Sequence, residues 1–191
     1  MRIVNSVVFA TAGFLAVAAH GVTIDYATVG NAGNPPNTNG WGSVSGTFQI
    51  SKFEITNAQY VAFLNAVDPA GINPDNVYDS RMGSDANGGI AFNAGAASQA
   101  KYSVKAGLSP NNSPYGQMPV IFTSWFSAAR FANWLQNGQQ SNSGSMRQGT
   151  YSLGNATSGT IVPRSSGTGQ QVVLPSRDEW YKAAYYNGST Y

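Results

Sequence analysis

The sequence predicts a loop-rich α+β fold. Three helical patterns carry that prediction, two of them opening with a capping box, together with several short apolar segments of strand character. The stretches between them add to it: they are rich in Gly, Asn and Ser and longer than the connections of most compact domains, and loops of that length are functional or disordered. A core is affordable, because 42% of residues are hydrophobic and 12% aromatic. The charged fraction of only 9% therefore does not signal disorder, since disordered chains lack those aromatic and branched residues. At 191 residues the chain suits one domain, or one domain with a tail.

Residues 1–21 read as a secretory signal peptide. Arg2 gives a positive start, 7–19 form a short apolar run, and Ala19 and Gly21 are small residues at the two key places of a cleavage site. The run is short for a spanning helix, which needs about 20 apolar residues, and no other run is longer. Cleavage after Gly21 removes the single histidine, His20, and the sequence holds no cysteine. From Val22 onward the residues therefore supply no Ser-His-Asp triad, no Cys-His pair, no His or Cys metal ligand and no disulfide. The net charge is +2, from 10 basic and 8 acidic residues without a basic cluster, so no nucleic-acid footprint is expected. The expected location is secreted or periplasmic, with no membrane association after cleavage.

Residues 22–46, rich in Gly, Asn, Pro and Thr, read as an extended arm or loops. A domain is expected over 47–191. Its first segment, 47–55, alternates Phe48 and Ile50 as a strand does, and Phe53 and Ile55 continue on a shifted phase, which suggests a bulge. Thr56 and Gln59 form a capping box, and Tyr60, Phe63, Leu64 and Val67 make one apolar stripe behind it. Asp68-Pro69 stops that helix. Residues 69–117 read mostly as loop, with a strand expected at 100–105 and another at 118–122. Ser124 caps a second helix with the expected stripe Trp125, Ala128, Ala129, Ala132 and Leu135, ended by Asn137-Gly138. A long excursion follows over 138–171, with a hairpin expected around 151–153. Ser176 and Glu179 make the second capping box, and Trp180, Ala183 and Ala184 are the expected buried face of the last helix.

Few residues look chemical. Glu54 is expected as a buried or half-buried structural acid, paired with an arginine or backbone amides, and less so as a residue orienting a site. Asp178 and Glu179 suit the positive end of their helix. Asp75, Asn76, Asp79, Asp85 and Asn87 crowd one loop with oxygen ligands, as calcium requires, but their spacing matches no EF-hand and turn chemistry explains them. Trp125, Trp134 and Trp180 could stack a sugar, yet each lies on a helix and core packing is expected. Trp41 has no evident role. Arg81, Arg130 and Arg147 show no partner in the sequence. No residue is assigned a catalytic, cofactor-binding or metal-binding role.

Three segments taken in order carry a resemblance. They are 48–67 with Glu54-Ile55-Thr56-Asn57, 118–135 with Pro119-Val120, Ser124-Trp125 and Asn133-Trp134-Leu135, and 174–188 with Leu174-Pro175-Ser176 and Glu179-Trp180. Together they resemble the formylglycine-generating enzyme family, also called sulfatase-modifying factors, and 79–92 looks like a form found in its secreted bacterial members. The resemblance implies a modified C-type-lectin-like α+β fold. It also implies that the chain is the N-terminal portion of a domain incomplete at its C-terminus, because the family's later motifs, calcium loops and cysteine pair find no counterpart here. Those cysteines bind copper and activate oxygen to convert a substrate cysteine to formylglycine. On that basis no cofactor is expected in this chain, with copper and calcium belonging to a full-length relative, and a cysteine-containing peptide or protein is the implied partner. The alternative is a non-catalytic lectin-like binding module for a peptide or glycan on the cell surface.

Overall fold

The computed structural model of the protein describes residues 21–167 and 169–191. The expected signal peptide lies outside the described residues except for Gly21. Short helices and two small sheets make the α+β fold that the sequence predicts. No helix among the described residues is long and apolar enough to cross a membrane.

Helix α1 (Asn57–Val67) begins at its predicted capping box. Thr56 Oγ1 accepts the Gln59 amide, and Gln59 Oε1 accepts the Thr56 amide at 2.9 Å. All four residues of its stripe are buried. Phe63 packs its ring against Tyr60, Phe131 and Trp134, with centroids 5.2–5.4 Å away. The helix ends at Asp68, whose carboxylate accepts the Ile72 and Asn73 amides and the Tyr102 hydroxyl. That anchors the following loop to β4 (Tyr102–Val104), which pairs antiparallel with β3 (Ile90–Phe92). The strand predicted at 100–105 is thus present, and its partner lies within what read as loop. After the two-stranded sheet comes a 3-10 turn, Tyr115–Gln117. The strand expected at 118–122 does not form. It is reduced to a single bridge between Thr56 and Pro119, with the Val120 amide donating to the Ile55 carbonyl, because proline brings no amide to extend a ladder.

Helix α3 (Trp125–Gln136) starts at Ser124, which accepts the Ser127 amide. It is buried on more sides than the predicted stripe. Phe131 and Trp134 join the α1 core, while Phe126, Ala129 and Ala132 pack with Tyr151 and Leu153 into a second cluster. The short helices α2 (Arg81–Ser84) and α4 (Gly144–Arg147) add Met82 and Met146, both buried, to the first of these clusters. No hairpin forms at 151–153. Asn133 holds that segment instead, giving its amide hydrogens to the Met146 and Tyr151 carbonyls and accepting the Tyr151 amide. A single side-chain amide thereby does in one place what a strand partner would have done.

The segment 22–46 is more ordered than an arm of loops. It contains β1 (Tyr26–Val29), paired antiparallel with β2 (Phe48–Ser51) in the register Tyr26 to Ser51. The rest of it runs on to α5 (Arg177–Tyr185), where the Lys182 ammonium donates to the Asn31 carbonyl at 2.8 Å, the Asn37 amide to the Tyr181 hydroxyl at 2.7 Å, and the Gly42 amide to Asp178 at 3.0 Å.

A candidate binding groove between the first sheet and the last helix

Helix α5 opens with its predicted box: Ser176 accepts the Glu179 amide and Glu179 accepts the Ser176 amide. Its burial differs from expectation. Lys182 is the buried residue, at 0% exposure, whereas Trp180 is 51% exposed. Helical spacing puts Lys182 about 200° from Trp180, so the arm covers the flank that the apolar stripe does not use. The expected core role therefore fails for Trp180. It holds for Trp134, which is 2% exposed, and in part for Trp125, whose ring meets Phe126 and Tyr151 edge-on.

The uncovered stripe faces a groove of about 1280 Å³. Two stretches of chain form its sides, 47–55, which contains β2, and the non-helical 169–175. Phe131, Ala132 and Leu135 of α3 and Trp180, Ala183 and Ala184 of α5 supply apolar lining, and β1 contributes Tyr26 and Thr28. Polar side chains are added by Gln49, Gln136, Gln170, Gln171 and Glu54. Glu54 is exposed, not the half-buried acid expected from its place before a capped helix. Its chain neighbour Lys52 pairs instead with Asp25 at 3.0 Å. At the start of α5, Arg164 binds both oxygens of Glu179, at 2.9 and 2.6 Å, and reaches the Leu174 carbonyl. That contact holds the Glu179 carboxyl below its usual range.

The acidic loop is dispersed by arginines. Asp75 is buried and contacts Arg130 at 3.3 Å and Arg147 at 2.7 Å. Arg130 is itself fully buried: its Nη1 and Nη2 donate to the Gly154 and Ala156 carbonyls, while its Nε finds no acceptor among the described residues. Burial pushes its pKa down and Asp75 opposes that. Asp79 binds Arg81 through two hydrogen bonds that draw its pKa to about 2, and Asp85 caps the Asn87 amide. The three arginines that showed no partner in the sequence thus find carbonyls or these carboxylates. A calcium ion needs six to eight converging oxygens, and carboxylates already held by guanidinium groups in separate places do not fit one. Copper held by thiolates does not fit either, since the sequence has no thiol. No group of three His, Cys, Asp or Glu side chains comes together among the described residues.

Sequence reasoning missed two parts of the groove, β1 and the 169–173 side. Ile24, Tyr26 and Thr28 do alternate, and that period-two signal sat inside a stretch dominated by turn residues. On the other side only the short apolar run 172–174 stood out, and nothing in the local sequence marked 169–171.

The motifs at 48–67, 118–135 and 174–188 therefore occur as a capped helix after a strand, a capped helix between two cores, and a capped helix beside a groove. A family model described as the sulfatase-modifying factor enzyme 1-like domain matches residues 5–191. The chain belongs to the sulfatase-modifying factor family. Neither a curated relative nor a solved structure matches it.

Proposed function

We propose that this sulfatase-modifying factor chain is a secreted polypeptide-binding protein that holds an extended peptide in the groove and does not itself perform the oxidation for which the family is named. The groove carries this reading. One side carries the strand β2, Phe48–Ser51, the other is the non-helical stretch 169–175, and a strand advances about 3.3 Å per residue. A ligand lying along such sides is matched in length by an extended segment, with apolar side chains meeting Trp180, Leu135 and Phe131 and backbone groups meeting the glutamines. The family relationship supports a cysteine-containing peptide as the ligand class. The lack of any thiol in the chain removes the residues on which copper chemistry would depend. The finer fold assignment, a modified C-type-lectin-like arrangement, belongs to the same proposal.

Secretion rests on the pattern of 1–21. A second observation supports it: the Val22 amide donates to Gln139 Oε1, while Gln139 Nε2 donates back to the Val22 carbonyl at 2.8 Å. Cleavage after Gly21 would place the new terminal ammonium on that oxygen, so the mature end has a seat prepared for it. Mass spectrometry of the exported protein is expected to give Val22 as its first residue.

The groove reading is tested with ten-residue peptides bearing one central cysteine and with their serine twins. Saturable binding is expected, with a blue shift of Trp180 emission that disappears in Trp180→Phe. Preference for the cysteine peptide would identify the ligand class. An unchanged Trp180 spectrum with either peptide would overturn the groove reading, whatever the chain binds elsewhere.

A further inference from the structure

A second pocket, of about 440 Å³, lies where the arm meets the end of α5. That volume is in the range of small-molecule sites, about 300–1,000 Å³. It is separate from the groove and shares no lining residue with it. Tyr181, Tyr186 and Tyr191 form one side, and the turn from Pro35 to Asn39 forms the other. Tyr191 stands between the other two rings, with centroids 5.4 and 5.0 Å away.

Two of these rings are fixed by their hydroxyls. Tyr181 accepts the Asn37 amide and Tyr191 accepts the Asn34 amide, at 2.7 and 2.9 Å. Asn37 Oδ1 in turn accepts the Asn39 and Trp41 backbone amides. Those hydrogen bonds build the frame in advance, which lowers the ordering cost of binding. Other polar groups are left over. The Tyr186 hydroxyl, the Thr38 hydroxyl and the Asn39 side-chain amide make no hydrogen bond among the described residues, and each can both donate and accept. No lining side chain is charged, and the Lys182 ammonium, 5.9 Å from the Tyr186 ring centroid, is turned to the Asn31 carbonyl, so a phosphate, carboxylate or ammonium ligand would enter without a counter-charge from the lining side chains, which is costly.

From these features we propose that the pocket binds a neutral saccharide. A pyranose has an apolar face of C–H bonds for an aromatic ring and an edge of hydroxyls that donate and accept at once. The first matches the tyrosine faces, and the second matches Asn39, Thr38 and the Tyr186 hydroxyl. A proline-rich peptide would also lie on tyrosines. Its carbonyls only accept, however, and would leave the Asn39 amide oxygen without a donor, so the saccharide is the better match.

The test uses the full chain with three probes, cellotriose, triacetylchitotriose and mannotriose, and reads saturation transfer from protein to sugar ring protons. At least one probe is expected to show transfer and saturable binding. Tyr186→Ala should weaken it about tenfold, the loss of one aromatic contact and one hydroxyl. Asn39 is exposed, so Asn39→Ala should keep the melting temperature and still weaken binding several-fold, which guards against a misfolded Tyr186 variant. No transfer to any of the three sugars, or equal binding by wild type and Asn39→Ala, overturns the proposal. Binding of a triproline peptide at this pocket in place of the sugars also overturns it.

Discussion

Helices α1 and α5 begin with the same device and end in opposite situations. Each starts at a complete capping box, Thr56 with Gln59 and Ser176 with Glu179. Behind the first, Tyr60, Phe63 and Leu64 are no more than 1% exposed; behind the second, Trp180 is 51% exposed and Lys182 is buried. A capping box fixes where a helix starts by satisfying two orphan amides. It does not determine what the helix packs against. For α1 that is settled by rings arriving from α3 and by the loop after Asp68. For α5 it is settled by an arm that approaches from the polar side and offers carbonyls and asparagines.

The contrast can be broken most sharply by truncating one ring on each helix. Phe63→Ala is expected to cost about 3–5 kcal/mol, through lost transfer energy and a cavity among three aromatic neighbours. Trp180→Ala should change stability by no more than about 0.5 kcal/mol. Urea unfolding of both variants would measure the difference, and a comparable loss in the two would mean that the α5 stripe is covered in solution. Next in size is Asp75→Asn. It leaves Arg130 buried with a cation and only carbonyls for company, a change expected to cost about 3 kcal/mol; thermal melting would reveal it. The caps come third. Thr56→Ala and Ser176→Ala should each lose about 1 kcal/mol. Hydrogen exchange should place the first loss in global unfolding and the second in local fraying of α5.

The smallest expected effect concerns pH. Arg164 depresses the Glu179 pKa, so that ion pair stabilises α5 fully above the ordinary carboxylate value of 4.5 and its contribution fades as pH falls through the depressed folded value. The α5 signal should therefore weaken on the acid side earlier than the α1 signal, and Arg164→Ala should remove that difference. The Asp79–Arg81 pair follows the same sign over a lower window, from 3.8 down to about 2. It is solvent-screened and should move stability little.

The parts of this fold that were legible in the sequence are those decided within a few residues. Both capping boxes, the α1 stripe, the Ser124 cap and the positive φ of Gly138 at the end of α3 follow from local chemistry. The illegible parts depend on distant partners. β1 is a strand because β2 lies beside it, and β3 because β4 does. Residues 118–122 look like a strand and are not one, because only one bridge is available. The α3 stripe was read as one face, but two clusters cover the helix, and the burial of Arg130 could not be foreseen without Asp75, 55 residues earlier in the chain. The groove was partly visible: Trp180, Ala183 and Ala184 were the right stripe, expected to be covered and found open.

Lys182 has a consequence for the order of events in the cell. Its partner, the Asn31 carbonyl, lies 151 residues earlier. A ribosome adds about 5–20 residues per second, so the arm waits on the order of ten seconds for the helix that will hold it. During that interval its asparagines and prolines meet only water and neighbours. Contacts of such long range also slow the final search. Assembly of the arm onto α5 should therefore be a late event, completed after the α1 and α3 core has closed, and the tyrosine pocket cannot exist before it.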